Sequence, residues 1–214
     1  HSYMTSYGGG IYLSHGNTSS SSYSFINNTF FGNGTSGIGG GLSIHSDYLY
    51  LNESSISLTN NNITGNEASN GGGISIDAVH SFANNSTITF KNNSIENNTG
   101  RDFGGGIYLG AQTSIHGNSS FAFINNNIRN NTANSYGAGI YASTSLGTIM
   151  FTNNNFVNNA TSMFDTSYGG GLYLVLGSNE QNSLGEFYNN LFWNNSANNT
   201  GSDFWIDNDG NDNF

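Results

Sequence analysis

Short bursts of alternating apolar and polar residues return along this chain at a nearly fixed interval. The clearest burst is apolar–aromatic–apolar after three glycines, as in Gly169, Gly170, Gly171, Leu172, Tyr173, Leu174. Its first apolar residue recurs at Ile11, Leu42, Ile74, Ile107, Ile140 and Leu172, and at Phe204 without the full glycine triplet. The steps between these anchors are 31, 32, 33, 33, 32 and 32 residues. A period in this range marks a solenoid or a propeller rather than one folded core.

A second phrase sits between the anchors. It reads Phe25-Ile26-Asn27-Asn28-Thr29-Phe30 in the first copy, and Phe90-Lys91-Asn92-Asn93-Ser94-Ile95 in the third. Three residues beyond its last apolar residue another asparagine recurs: Asn33, Asn66, Asn98, Asn131, Asn159, Asn195. A further apolar column precedes the phrase at Tyr23, Ile56, Ile88, Phe121 and Ile149, with Gly185 in the sixth copy.

Alternation with a period of two is the signature of a strand with one buried face, and no stretch carries a helical stripe. Three strands of this length cannot close a sheet within one repeat, but stacked repeats can. The pattern predicts an all-β fold: one right-handed parallel β-helix over residues 1–214, with about six and a half rungs of ~32 residues and three parallel sheets. At ~4.8 Å per rung the stack is about 30 Å long. A propeller blade needs four antiparallel strands in a longer repeat, which fits less well.

Stacking predicts columns. The anchors point inward, as do Leu13, Ile44, Ile76, Leu109, Ala142, Leu174 and Ile206. Between them Tyr12, Ser43, Ser75, Tyr108, Tyr141, Tyr173 and Trp205 point outward, so Tyr108, Tyr141, Tyr173 and Trp205 are expected to form an exposed aromatic ladder. The asparagine pairs predict an amide ladder through Asn28, Asn61, Asn93, Asn126, Asn154 and Asn190, bonded as identical side chains are in cross-β stacks. The glycines fit a tight bend before each anchor strand.

Composition narrows the function. Three Lys and Arg against 13 Asp and Glu give a net charge of -10, which leaves no basic stripe for nucleic acid or an anionic membrane surface. Low charge with much Gly, Ser and Asn also suits a disordered chain, but 15 Phe and 12 Tyr placed periodically supply a buried stack. There is no cysteine and no proline. No apolar run reaches the ~20 residues of a membrane span. No signal peptide is visible, so the chain reads as a mature or trimmed segment of something exported.

The alternation of Gly-Gly-hydrophobic-Tyr with Phe-x-x-Asn resembles the repeats of chlamydial polymorphic outer membrane proteins and archaeal adhesin-like surface proteins. The resemblance runs from Gly8 to about Ile206. It implies a surface-exposed right-handed β-helix used in adhesion or as envelope structure. It implies no catalytic residues.

Several residue sets are candidates for chemistry. His45 and Asp77 should be neighbours on adjacent rungs, with Asp207 in their column several rungs away; one His and one Asp are a thin basis for catalysis. Glu96 and Arg129 should pair across strands, and Arg101 beside Asp102 is expected in a loop. Asp207, Asp209 and Asp212 alternate around a glycine like part of a calcium loop, without its downstream bidentate Glu; a solvated acidic tail is the other reading. His1 raises an N-terminal copper site but has no second placed histidine, and His15, His80 and His116 lack metal spacing. No other cofactor is expected.

Fourteen Asn-x-Ser/Thr sequons occur where composition predicts about nine. Asn17, Asn52, Asn84, Asn85, Asn118 and Asn198 fall in expected loops and are the glycosylation candidates, whereas Asn27 and Asn92 are expected inside the ladders.

Neither end of the repeat array reads as a cap, so both are expected to be open parallel edges. The chain therefore reads as a non-enzymatic extracellular structural protein at the cell surface. In this reading it is a subunit of a filament, sheath or adhesin that self-associates head to tail, with host or cell-surface glycans as further partners. The alternative is a carbohydrate-active or glycan-binding β-helix using the Tyr108–Trp205 ladder.

Overall fold

The computed structural model describes residues 6–14, 18–19, 21–46, 51–78, 83–110, 115–116, 120–144, 147–163, 167–177 and 183–208. Every strand pairing among them is parallel, and no helix occurs among them. The chain is a β-solenoid. Its first sheet has seven strands: Ile11–Ser14, Leu42–Ser46, Ile74–Ala78, Ile107–Gly110, Ile140–Thr144, Leu172–Leu176 and Phe204–Asn208. The anchors stand in one register, Ile11 on Leu42, Leu42 on Ile74, and so on to Leu172 on Phe204.

Five sheets form where the periodicity predicts three. The third sheet runs from Ser22–Ile26 to Ser183–Tyr188, and the fourth from Thr29–Phe31 to Leu191–Trp193, with six strands each. Two four-stranded sheets are additional. The second sheet consists of two-residue strands such as Leu51–Asn52 and Ala83–Asn84, inside what reads as loop. The fifth runs through Glu67–Asn70, Thr99–Phe103, Thr132–Ala133 and Ala160–Thr161. Its inward side chains are small, with Ala68, Ala133 and Thr161 buried, so apolar alternation does not mark it. The turn count is about five rather than six and a half, because the copies thin at both ends. Gly34 and Ser196 enter the fifth sheet's edge only as isolated bridges, and the seventh copy supplies one described strand.

The core is the sum of the inward columns. Leu42, Ile74, Ile107, Ile140 and Leu172 are fully buried, as are Leu58, Phe90, Phe123 and Phe151 of the third sheet. Phe90 stacks on Phe123 with centroids 4.6 Å apart and planes 2° apart, and Phe156 stacks on Phe192 at 4.6 Å. Like side chains at rung spacing pack face to face, which is why the columns repeat a residue type.

Gly185 leaves a gap in one column, opposite Ile149. A methyl there would meet Leu174 Cδ2 at 3.4 Å, Phe187 Cε2 at 3.5 Å and Leu176 Cδ1 at 3.7 Å, all ordinary contacts. Gly185→Ala is therefore expected to stabilise the fold by about 0.5–1 kcal/mol, read as a higher urea midpoint at unchanged slope. A lower midpoint would mean the sixth coil is not packed as described.

Candidate functional site

The corners of the solenoid hold its polar chemistry. Between the third and fourth sheets the chain turns through an asparagine in the left-handed region: Asn27, Asn60, Asn92, Asn125, Asn153 and Asn189, with φ of 53–58°. The next residue turns inward and joins a ladder. Asn28 Nδ2 donates to Asn61 Oδ1 (3.1 Å), and the same contact at 3.0 Å links Asn61 to Asn93, Asn93 to Asn126, Asn126 to Asn154 and Asn154 to Asn190. The predicted ladder is thus present, built by the second asparagine of each pair and not by both.

A second ladder runs through Asn33, Asn66, Asn98, Asn131, Asn159 and Asn195 at the corner between the fourth and fifth sheets. Each is preceded by a left-handed residue, Gly32, Gly65, Asn97, Asn130, Asn158 or Asn194. Its members recur in the sequence three residues after the last apolar residue of the phrase, and only the fold reveals that they bond to one another. A third, shorter ladder uses serine. The Ser21 and Ser54 amides donate to the Oγ of Ser54 and Ser86, each at 3.1 Å.

The amides inside the ladders are fully employed. Asn98 Oδ1 accepts from both the amide and Nδ2 of Asn66, while its own Nδ2 donates to Asn131 Oδ1 and to the Ile63 carbonyl, all at 3.0 Å. Buried amides satisfied in this way fix register, since a shift by one residue would strand several at once.

The three glycines serve different ends. The first lies in the left-handed region in every copy, for example Gly104 at φ 60°, where a Cβ would be 2.4 Å from the Ile107 carbonyl oxygen. The third faces the second ladder: a Cβ on Gly106 would lie 3.2 Å from Asn131 Cγ and 2.5 Å from the Gly139 carbonyl oxygen. The middle place is close to the neighbouring backbone, where a Cβ on Gly105 would lie 2.2 Å from the Thr132 carbonyl oxygen, and two copies carry Ala138 and Ser202 there.

The aromatic ladder differs from expectation. Tyr108, Tyr141, Tyr173 and Trp205 do stack in register, with Tyr108–Tyr141 centroids 5.2 Å and Tyr141–Tyr173 centroids 5.5 Å apart. They are covered, however: Tyr173 is 7% exposed and the others are half-buried. The cover is a second column, the residue just before each glycine triplet: Tyr7, Ile38, Asn70, Phe103, Tyr136, Tyr168 and Thr200. Phe103 stacks on Tyr136 at 5.3 Å, Tyr136 on Tyr173 at 4.8 Å, and Tyr168 lies 5.2 Å from Trp205. The column is visible in the sequence as an aromatic at three consecutive places before the glycines. Rings stacked along the axis cover one another's faces and turn edges outward, so the ladder lacks the open faces on which a sugar would stack. Burial pushes the Tyr108 hydroxyl well above the usual tyrosine range, with the Asp77 charge adding to it. Tyr173 is raised likewise by burial and by donating to Asp207 Oδ2 at 2.9 Å, so both phenols stay protonated.

His45 and Asp77 are neighbours as expected, with Nδ1 3.5 Å from Oδ2. His45 is buried beneath Tyr7, whose ring lies 4.4 Å away. Ser43 and Ser75 share this face, and their buried hydroxyls have no hydrogen-bond partner. Serine, histidine and aspartate therefore stand together without the nucleophile–base contact that a hydrolytic triad uses. Asp207 is separated from the pair by the intervening coils. No cluster of three His, Cys, Asp or Glu occurs among the described residues. Of the calcium candidates only Asp207 is described; Asp209 and Asp212, like His1, His15 and His80, lie outside the described residues, and only the backbone of His116 is described.

Among the described residues, two Arg–Glu ion pairs cross between coils. Arg129 pairs with Glu96 at 2.6 Å, as predicted. Arg101 is not in a loop: it lies in strand Thr99–Phe103 and pairs with Glu67 at 2.8 Å. Both are solvent-facing and contribute under ~1 kcal/mol each.

Asn27 and Asn92 are not ladder members; they are exposed left-handed corner residues one place earlier. With Asn97, Asn130 and Asn194 they begin five sequons that are the corner motif itself: a left-handed asparagine, a ladder asparagine, then a strand Ser or Thr. The other nine equal what composition predicts, so the excess of sequons is a product of the fold. Asn52 and Asn84 pair with each other in the second sheet rather than lying in loops. Asn85 is an exposed corner at φ 51°, and Asn198 is exposed with Nδ2 donating to the Ser162 carbonyl at 2.8 Å. Asn17 and Asn118 lie outside the described residues.

No helix is long and apolar enough to cross a membrane among the described residues. No protein-family model, no curated protein and no solved structure matches the chain.

Proposed function

We propose that the chain is an extracellular structural β-solenoid, a subunit of a cell-surface filament, sheath or adhesin whose copies stack head to tail. The observation that carries this is the polarity of the first amide ladder. Asn28 Oδ1 accepts no hydrogen bond at one end, while at the other Asn190 spends one Nδ2 proton on the Phe151 carbonyl and has no ladder partner beyond it. One end thus offers an acceptor and the other a donor, in the same column. The core columns are also open at both ends: Ile11 is 38% exposed on the first coil and Phe187 37% on the sixth. Unlike surfaces meeting head to tail give a heterologous contact that need not close. The resemblance of the repeats to surface proteins supports the location, and the abundance of Ser, Thr and Asn over charged residues suits a coat.

The test uses two chains with one spoiled end each, Ile11→Asp and Phe187→Asp. Both residues end inward columns and are more than a third exposed, so the charge is solvated in the single chain and buried only when copies stack. Wild type is expected to grow beyond dimers with concentration in sedimentation velocity. Each variant alone is expected to stay monomeric, since a buried unpaired charge raises the dissociation constant about a hundredfold. An equimolar mixture should stop at dimers, joined by the two intact ends. A wild type that is monomeric at every concentration, or variants that still dimerise alone, would defeat the proposal.

A further inference from the structure

The two end faces do not match strand for strand. Among the described residues the first sheet has seven strands and the third and fourth have six, so Phe204–Asn208 lies beyond the last described strands of those two sheets. It occupies the place that the first-sheet strand of a following coil would take. In the anchor column Phe204 pairs with Leu172 as Ile11 pairs with Leu42, and Ile206 pairs with Leu174 as Leu13 pairs with Ile44.

One residue ties this strand down in a way no earlier copy does. The place before the anchor is glycine in six copies, Gly10, Gly41, Gly73, Gly106, Gly139 and Gly171, and Asp203 in the seventh. Those glycines leave room for the second ladder; a Cβ on Gly171 would lie 3.1 Å from Asn195 Cγ. Asp203 uses that room itself. Its Oδ1 accepts from Asn195 Nδ2 at 3.1 Å, where Asn195 Oδ1 accepts from Asn159 Nδ2 at 2.9 Å one coil earlier. The carboxylate therefore sits where the next ladder asparagine would be. Phe204 closes over the ends of two core columns, 5.6 Å from Phe192 and 6.3 Å from Phe187, and Asp207 accepts from the Tyr173 hydroxyl.

We propose that Phe204–Asn208, latched by Asp203, is a placeholder for the first strand of a second copy, and that it yields to Ile11–Ser14 when copies stack. This rests on the head-to-tail reading and specifies its register. The incoming Gly10 takes the place of Asp203, and Asn33, whose Oδ1 accepts no hydrogen bond, takes the ladder position on Asn195. Asp203 and an incoming Asn33 exclude each other: a Cβ at Gly10 would already lie 3.0 Å from Asn33 Nδ2. Asn28 then receives the Asn190 donor. The exchange keeps the first-sheet pairing and adds Ser22–Ile26 on Ser183–Tyr188 and Thr29–Phe31 on Leu191–Trp193. Exchange is favoured because new pairs form while the broken ones are replaced in kind.

The full chain, which has no cysteine, permits a direct test. Ser14 of the incoming strand would stand beside Val175, which Asp207 now faces. Under mild oxidation, a mixture of Ser14→Cys and Val175→Cys chains is expected to form a disulfide-linked dimer, since adjacent parallel strands lie within disulfide reach. Adding Asp203→Gly to the Val175→Cys chain should produce the same yield at about tenfold lower concentration, the worth of one charge-assisted hydrogen bond. Asp203→Asn, which keeps the acceptor without its charge, should fall between wild type and Asp203→Gly. If Ser14→Cys links instead to Asp207→Cys, copies stack on top of the seventh strand and the placeholder is wrong while stacking stands. Equal yields with and without Asp203→Gly would remove the latch. No link in any mixture, with monomers throughout, would overturn the placeholder and the stacking together.

Discussion

Replacing Asn98 with alanine is expected to lower the unfolding free energy by roughly 3–5 kcal/mol, among the largest effects of any polar substitution in this chain. Asn98 is fully buried in the middle of the second ladder. Its loss removes four hydrogen bonds and leaves the Asn66 amide and one Asn66 Nδ2 proton without partners in a dry corner. Water cannot replace them without opening the stack. Because coils contact only their neighbours, the damage falls between the third coil and those flanking it. Urea unfolding should therefore lose its single transition, with the two halves melting separately. The neighbouring Asn97 provides the contrast. It is exposed at φ 56°, so Asn97→Gly should be nearly neutral and Asn97→Ala should cost about 1 kcal/mol, the penalty for a left-handed Cβ. Equal losses at Asn97 and Asn98 would show that the ladder contributes nothing beyond the turn.

Gly106→Ala is expected to cost a comparable ~3–5 kcal/mol by a different route. The added methyl would meet the Gly139 carbonyl oxygen at 2.5 Å and Asn131 Cγ at 3.2 Å. The carbonyl cannot retreat freely, because it accepts the Ile107 amide at 3.0 Å, the bond that joins the two coils at this corner. The ladder is displaced at the same time. A loss below ~1 kcal/mol, measured by chemical denaturation, would mean that the corner is softer than its contacts indicate.

The alternation and the fixed period were enough to establish a solenoid, to place every anchor and to put the asparagine pairs at a corner. They suffice because register in a parallel stack is set by the identity of side chains one period apart, and that information is linear. Asn28, Asn61, Asn93, Asn126, Asn154 and Asn190 could be read as a ladder on this ground alone.

What the sequence could not supply was whatever depends on the angle between sheets. Outward alternation marks Tyr108, Tyr141 and Tyr173 as exposed, yet the bend at the glycines folds Phe103, Tyr136 and Tyr168 back over them. The fifth sheet escaped notice because its interior is narrow enough for Ala68 and Ala133, so no large apolar residue signals it. Asp203 reads in the chain as a worn glycine. Only with the coils stacked does its carboxylate come to Asn195 Nδ2, 3.1 Å away, because a corner brings together residues that the repeat keeps eight apart.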